Sequence, residues 1–128
     1  TFGPTGNENF TIDLPVKTKR QAIRQALSVK TENISVIETF ECKEGKTAPV
    51  VKLLAKLNAT KNVLLVVSVK DDLVVRATRN IVGLKVVQAR YLNVYDILNA
   101  DSIIISQKSL DIIKEWLAPT SAASKESK

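Results

Sequence analysis

Val63-Leu-Leu-Val-Val-Ser-Val69 is an uninterrupted apolar run bounded by polar residues. A strand buried on both faces, central in a parallel sheet, reads this way. Downstream, Asp71 or Asp72 predicts the cap of a helix to about Ile81, closed by Gly83. Leu84-Lys-Val-Val-Gln88 reads as a second strand, and Asn93-Val-Tyr-Asp-Ile-Leu98 as a short helical turn. Ser102-Ile-Ile-Ile-Ser106 is the last strand, and Ser106 is expected to cap a helix through Leu117. That helix turns Leu110, Ile113 and Leu117 inward, and Pro119 ends it.

Upstream, Ile34-Ser-Val-Ile-Glu-Thr39 is short and β-branched, a further strand. Gly45, then Thr47 as N-cap with Pro49 in the first turn, opens a helix to about Leu57. Its inward face is Val50, Leu54 and Leu57, with Lys52 and Lys56 toward solvent. Another helix covers about Val16 to Val29, with Pro15 suited to its first turn. Strands alternating with helices predict an α/β fold: a mostly parallel sheet of about four strands with helices on both faces. The arrangement is Rossmann-like and three-layered, without a nucleotide loop. Residues 1–13 read as an extended lead-in segment, 14–118 as one α/β domain, and 119–128 as a small, polar, disordered tail.

The 128 residues fit a single domain, and 45% hydrophobic with 25% charged residues is ordinary for a soluble globular protein. The net charge of +6 is unevenly placed. Residues 1–30 carry five cations against two anions and 61–100 carry six against three, whereas the other two stretches balance. Such clustering suits a basic patch facing an anionic partner. No segment reaches the ~20 apolar residues of a membrane span, so no membrane partner is expected. Cys42 is the single cysteine and there is no histidine, which removes internal disulfides and the ordinary zinc sites.

On the helix from Val16, the residues Ala22, Ile23, Ala26 and Leu27 share one side, and Lys17, Arg20 and Arg24 share another. Three long cations in a row repel one another unless an anion lies over them, and a polyphosphate backbone supplies one. The alternative is a solvated helix face. Arg76 and Arg79, followed by Asn80, form a second basic group, with ion pairing to Asp71, Asp72 or Asp96 as the structural alternative.

Features of an enzyme are sparse. There is no GxGxxG or GxxxxGK[ST], and the turn Phe40-Glu-Cys-Lys-Glu-Gly45 carries two carboxylates that repel phosphate. Asp71 and Asp72 could hold magnesium, but capping explains them better. Glu38, Glu41 and Glu44 are interleaved with Lys43 and Lys46, as in a solvated loop. Cys42 lacks an activating base. No catalytic residue, metal, cofactor or small-molecule substrate is expected. The six aromatic rings are scattered, which argues against a base-stacking platform and for contacts to phosphate, ribose and shape.

Several segments together resemble the bacterial large-subunit ribosomal protein four (L-four) family. Leu14-Pro-Val-Lys-Thr-Lys-Arg-Gln-Ala-Ile-Arg-Gln-Ala-Leu-Ser28 is similar to that family's Leu-Pro-x-Lys-x-Arg-Arg-x-Ala-Leu-Arg-x-Ala-Leu-Ser helix. Phe2-Gly3-Pro4 resembles the point where the family's long loop returns to the body. Lys46-Thr47, Arg76-x-x-Arg-Asn80 and Leu92-Asn-Val-Tyr-Asp-Ile-Leu98 follow in the family's order. The resemblance runs from Thr1 to about Ala118. It implies a non-enzymatic, structural protein of the cytoplasmic ribosome that binds large-subunit ribosomal RNA beside neighbouring ribosomal proteins.

By the same resemblance, Lys17, Lys19, Arg20, Arg24, Lys46, Thr47, Arg76, Arg79 and Asn80 are candidate RNA contacts. Ala48 stands where the family often has a second lysine. The family's N-terminal part and basic, glycine-rich tunnel loop have no counterpart here, so residues 1–13 read as a loop stump. The expectation is a carboxyl-terminal portion of a longer protein. A nucleotide-binding or enzymatic α/β domain, or a free regulator binding messenger RNA through the same basic face, are the alternative functions.

Overall fold

The computed structural model describes residues 2–42, 44–59 and 61–119. The tail expected from Thr120 onward lies outside the described residues. Four strands form one sheet: β1 (Ile34–Ile37), β2 (Val63–Val67), β3 (Leu84–Gln88) and β4 (Ser102–Ser106). Every pairing is parallel and the order is β1-β4-β2-β3. The helices are α1 (Val16–Val29), α2 (Thr47–Lys56), α3 (Asp72–Thr78), α4 (Val94–Asn99) and α5 (Gln107–Leu117). The α/β three-layer reading therefore holds.

The run that begins at Val63 is the hub. Val63 pairs with Leu84 on one side and Ser102 on the other, and all five β2 side chains are buried. Alternation sends Leu64 and Val66 to one core with Ile103, Ile105 and Val87, where Ile23, Ala26, Ile97, Ile113 and Leu117 of α1, α4 and α5 meet them. Val63, Leu65 and Val67 face the other core with Ile104, against Leu54 of α2 and Leu57 just past its end. The crossovers β1-α2-β2 and β2-α3-β3 advance across the sheet, and β3-α4-β4 returns. Right-handed connections then place α2 and α3 on one face and α4 on the other.

Several element ends differ from the sequence reading. β1 stops at Ile37 rather than Thr39, and β2 at Val67 rather than Val69, each where its parallel partner strand ends. Pro15 sits at the N-cap of α1, its carbonyl accepting from the Lys19 N–H at 3.2 Å. Lys46, not Thr47, is the N-cap of α2, so Thr47 is its first helical residue. Asp71 and Ser106 occupy the N-cap positions of α3 and α5 without a side-chain cap bond. The Ser106 hydroxyl instead pairs with the Ser109 hydroxyl at 2.6 Å. Asn93 does cap α4, accepting from the Asp96 N–H.

Helix α3 ends at Thr78 rather than near Ile81, and Gly83 is not its cap. With φ at +77°, Gly83 turns the chain into β3, and its carbonyl accepts from the Val63 N–H at 2.7 Å. A Cβ there would stand 2.5 Å from the Lys61 carbonyl oxygen, which is backbone and cannot swing away. Gly83→Ala is expected to cost at least about 2 kcal/mol of stability. Gly3→Ala, in open space, should cost little. Urea midpoints of the two variants check this.

Candidate nucleic-acid interface

Helix α1 buries Ile23 and Ala26 and packs against α4 and α5. That burial fixes where its cations go. Lys17, Arg20 and Arg24 line a shallow cleft together with Gln21, Ala118 and Pro119 at the end of α5. Lys19 is exposed but lies outside it. Arg24 is half-buried, and its Nη1 donates to the Leu117 carbonyl at 2.6 Å. Lys30, just past α1, donates to the Ala100 carbonyl at the end of α4 at 2.8 Å. Both cations meet carbonyls at the negative ends of helices, which leaves those groups satisfied. Nothing in the local sequence of α1 announced these long-range ties. Arg20 is different: its Nε is enclosed and has no hydrogen-bond partner.

The second group assembles from two separate segments. Gly45, buried and at φ +60°, lets the turn before α2 lie against Leu73 and Arg76 of α3. Lys46 and Thr47 thereby share an open cleft with Arg76, Arg79 and Asn80. Lys46 contacts Glu44 at 2.5 Å, with both side chains about 70% exposed, so water screens the pair. The structural alternative for the arginines does not form. Asp96 is buried and takes its ion pair from Lys85 at 2.5 Å, with Asn93 Nδ2 donating to its other oxygen at 3.0 Å. Among the described residues these two are the only ion pairs, so Arg76 and Arg79 are in neither.

Eight of the nine candidate residues thus line clefts, in two groups rather than one. The α1 group belongs to the layer of α4 and α5, and the other group to the layer of α2 and α3, across the sheet.

A third cavity, of about 350 Å³, opens at the carboxyl ends of β1, β4 and β2, the place where such sheets hold nucleotides. Its volume would admit a ligand fragment. Among the described residues its lining sets Glu38, Glu41 and Asp71 against Lys108, which opposes a phosphate. The sequence pattern placed no third carboxylate near Asp71 and Asp72, whereas the fold brings Glu38 and Glu41 to the cavity that Asp71 lines. No cluster of three metal-ligating side chains occurs among the described residues. Cys42 borders this cavity, and burial pushes its thiol up, away from the reactive thiolate. No helix among the described residues is long and apolar enough to cross a membrane.

The sequence model of the Ribosomal protein L4/L1 family matches residues 1–116. The chain is similar to the large ribosomal subunit protein uL4 of Desulfitobacterium hafniense strain Y51, 35% identical over 119 residues. It is 37% identical to the uL4 protein of Syntrophomonas wolfei and 39% to that of Thermoanaerobacter pseudethanolicus. Each alignment covers 91% of this chain and 57% of the relative, so the chain spans a little over half their length.

The two kinds of cation separate experimentally. Arg24→Ala removes a charged donor from the end of α5 and should lower stability by about 1–2 kcal/mol. Arg79→Gln, on an exposed side chain, should stay within about 0.5 kcal/mol of the parent. Chemical denaturation measures both.

Proposed function

Since the chain belongs to the Ribosomal protein L4/L1 family, we propose that it is a structural constituent of the large ribosomal subunit that binds ribosomal RNA through phosphate contacts. Its place is the cytoplasmic ribosome, beside neighbouring large-subunit proteins, and its role is architectural rather than catalytic. The observation that carries this reading is the pair of basic clefts whose arginines lack carboxylate partners. Arg20, Arg76 and Arg79 are in none of the ion pairs among the described residues. Uncompensated guanidinium groups on an ordered surface are suited to phosphate, which they grip in a bidentate fork. In this reading Lys17, Lys19 and Arg20 hold one stretch of backbone, and Lys46, Thr47, Arg76, Arg79 and Asn80 hold another. Arg24 contributes mainly by fixing α5 behind the first cleft. The acidic cavity at the strand ends weighs against the nucleotide-binding alternative.

The test is affinity for a large-subunit ribosomal RNA transcript, measured against salt. Lys17→Gln with Arg20→Gln, and separately Arg76→Gln with Arg79→Gln, should each flatten the log–log slope by about 1.4–1.8. The folded state should persist in both, because Ile23, Ala26, Val74 and Ala77 keep their burial. Unchanged slopes and affinities in both double variants would refute the proposal.

A further inference from the structure

The segment from Ala89 to Asn99 carries a surface that neither basic cleft includes. Ala89, Leu92 and Ile97 are buried, with exposures of 0%, 3% and 0%, and anchor the 3-10 turn Ala89–Tyr91 and helix α4 to the core. That anchoring turns Tyr91 and Tyr95 outward, 75% and 72% exposed. The backbone between them is held firmly. The Asn93 side chain accepts from the Asp96 N–H at 2.8 Å, and Asp96 in turn binds Asn93 and Lys85. Two large rings are therefore presented on a rigid support, and little side-chain freedom remains to be lost on binding.

The chemistry around the rings narrows the partner. The only carboxylate in this segment is Asp96, which is 5% exposed and neutralised by Lys85. The exposed side chains of the segment are Arg90, Tyr91, Asn93, Tyr95, Leu98 and Asn99. Rings, amides and a guanidinium, with no exposed negative charge, match unpaired nucleobases next to a phosphate backbone. Tyrosine faces stack on bases of any sequence, and arginine adds cation–π and phosphate contacts. Helix α4 also packs against α1, so the rings share a layer with Lys17 and Arg20.

We propose that Tyr91 and Tyr95 form a stacking site for unpaired RNA bases, in the same layer as the basic face of α1. The proposal rests on the RNA-binding reading above and adds base contacts to it. It also departs from the expectation that the scattered rings make no stacking platform: these two rings are close in sequence and both are exposed.

The test compares the parent chain with Tyr91→Leu/Tyr95→Leu and with Tyr91→Phe/Tyr95→Phe. The probes are a large-subunit ribosomal RNA transcript and a single-stranded oligoadenylate, titrated across a salt series. The leucine pair should weaken binding at least about five-fold per ring, with an unchanged salt slope, because phosphate contacts survive. The phenylalanine pair, which keeps the π faces, should bind as the parent does. Urea midpoints should match, since both side chains are solvent-exposed. The proposal is overturned if the leucine pair binds both probes as the parent does. It is equally overturned if the phenylalanine pair loses as much as the leucine pair. Normal RNA affinity combined with loss of co-sedimentation with large subunits would instead assign the surface to a protein neighbour. A parent chain that binds neither probe at any salt would refute the RNA reading itself, a distinct result.

Discussion

The double ladder around β2 sets the shape of this molecule. Val63–Val67 pair with β3 on one edge and Val63–Val66 with β4 on the other, and alternate side chains fill two cores. A parallel sheet of this kind needs cover on both faces, and its crossover connections supply it. The consequence reaches the functional surface. Residues that are basic in sequence end up on helices of opposite layers, so cationic groups cannot merge into one patch. The protein offers one basic cleft per face, with the sheet between them.

Within each layer, electrostatics sorts the cations by what they touch. Arg24 and Lys30 reach carbonyls at the ends of α5 and α4 and hold helices together. Lys85 closes over buried Asp96 and fixes the start of α4. Arg20, Arg76 and Arg79 have no such acidic partner among the described residues. A net positive charge would not by itself distinguish these roles. The carbonyls and carboxylates within reach do, and they separate structural cations from those open to an external phosphate.

The sheet and all five helices were legible in the sequence because their signals are local. An apolar run, a β-branched tetrad and a 3.6-residue stripe report burial directly. The ends were less legible, because they depend on partners distant in sequence. Gly83 looked like a helix cap but serves β3, since its carbonyl meets Val63 across the ladder. Thr47 looked like a cap until the turn at Gly45 placed Lys46 there. The second cleft was visible as two motifs whose meeting only the packing of α2 on α3 could reveal. The double duty of α1 was hidden for the same reason: Leu117 lies 93 residues from Arg24. The outward Tyr95 could have been found from Asn93 as a cap, which sets the phase of α4 and sends Ile97 inward.

The central claim is that RNA lies against two clefts on opposite faces of one parallel sheet. Photo-crosslinking within intact large subunits, followed by mass mapping of RNA-bound peptides, tests it most directly. The account predicts crosslinks on both faces: within residues 15–24 and at the tyrosines of residues 91–95 in one layer, and within residues 45–48 and 76–80 in the other. Crosslinks confined to one face, or concentrated around Glu38, Glu41 and Asp71 at the strand ends, would contradict it.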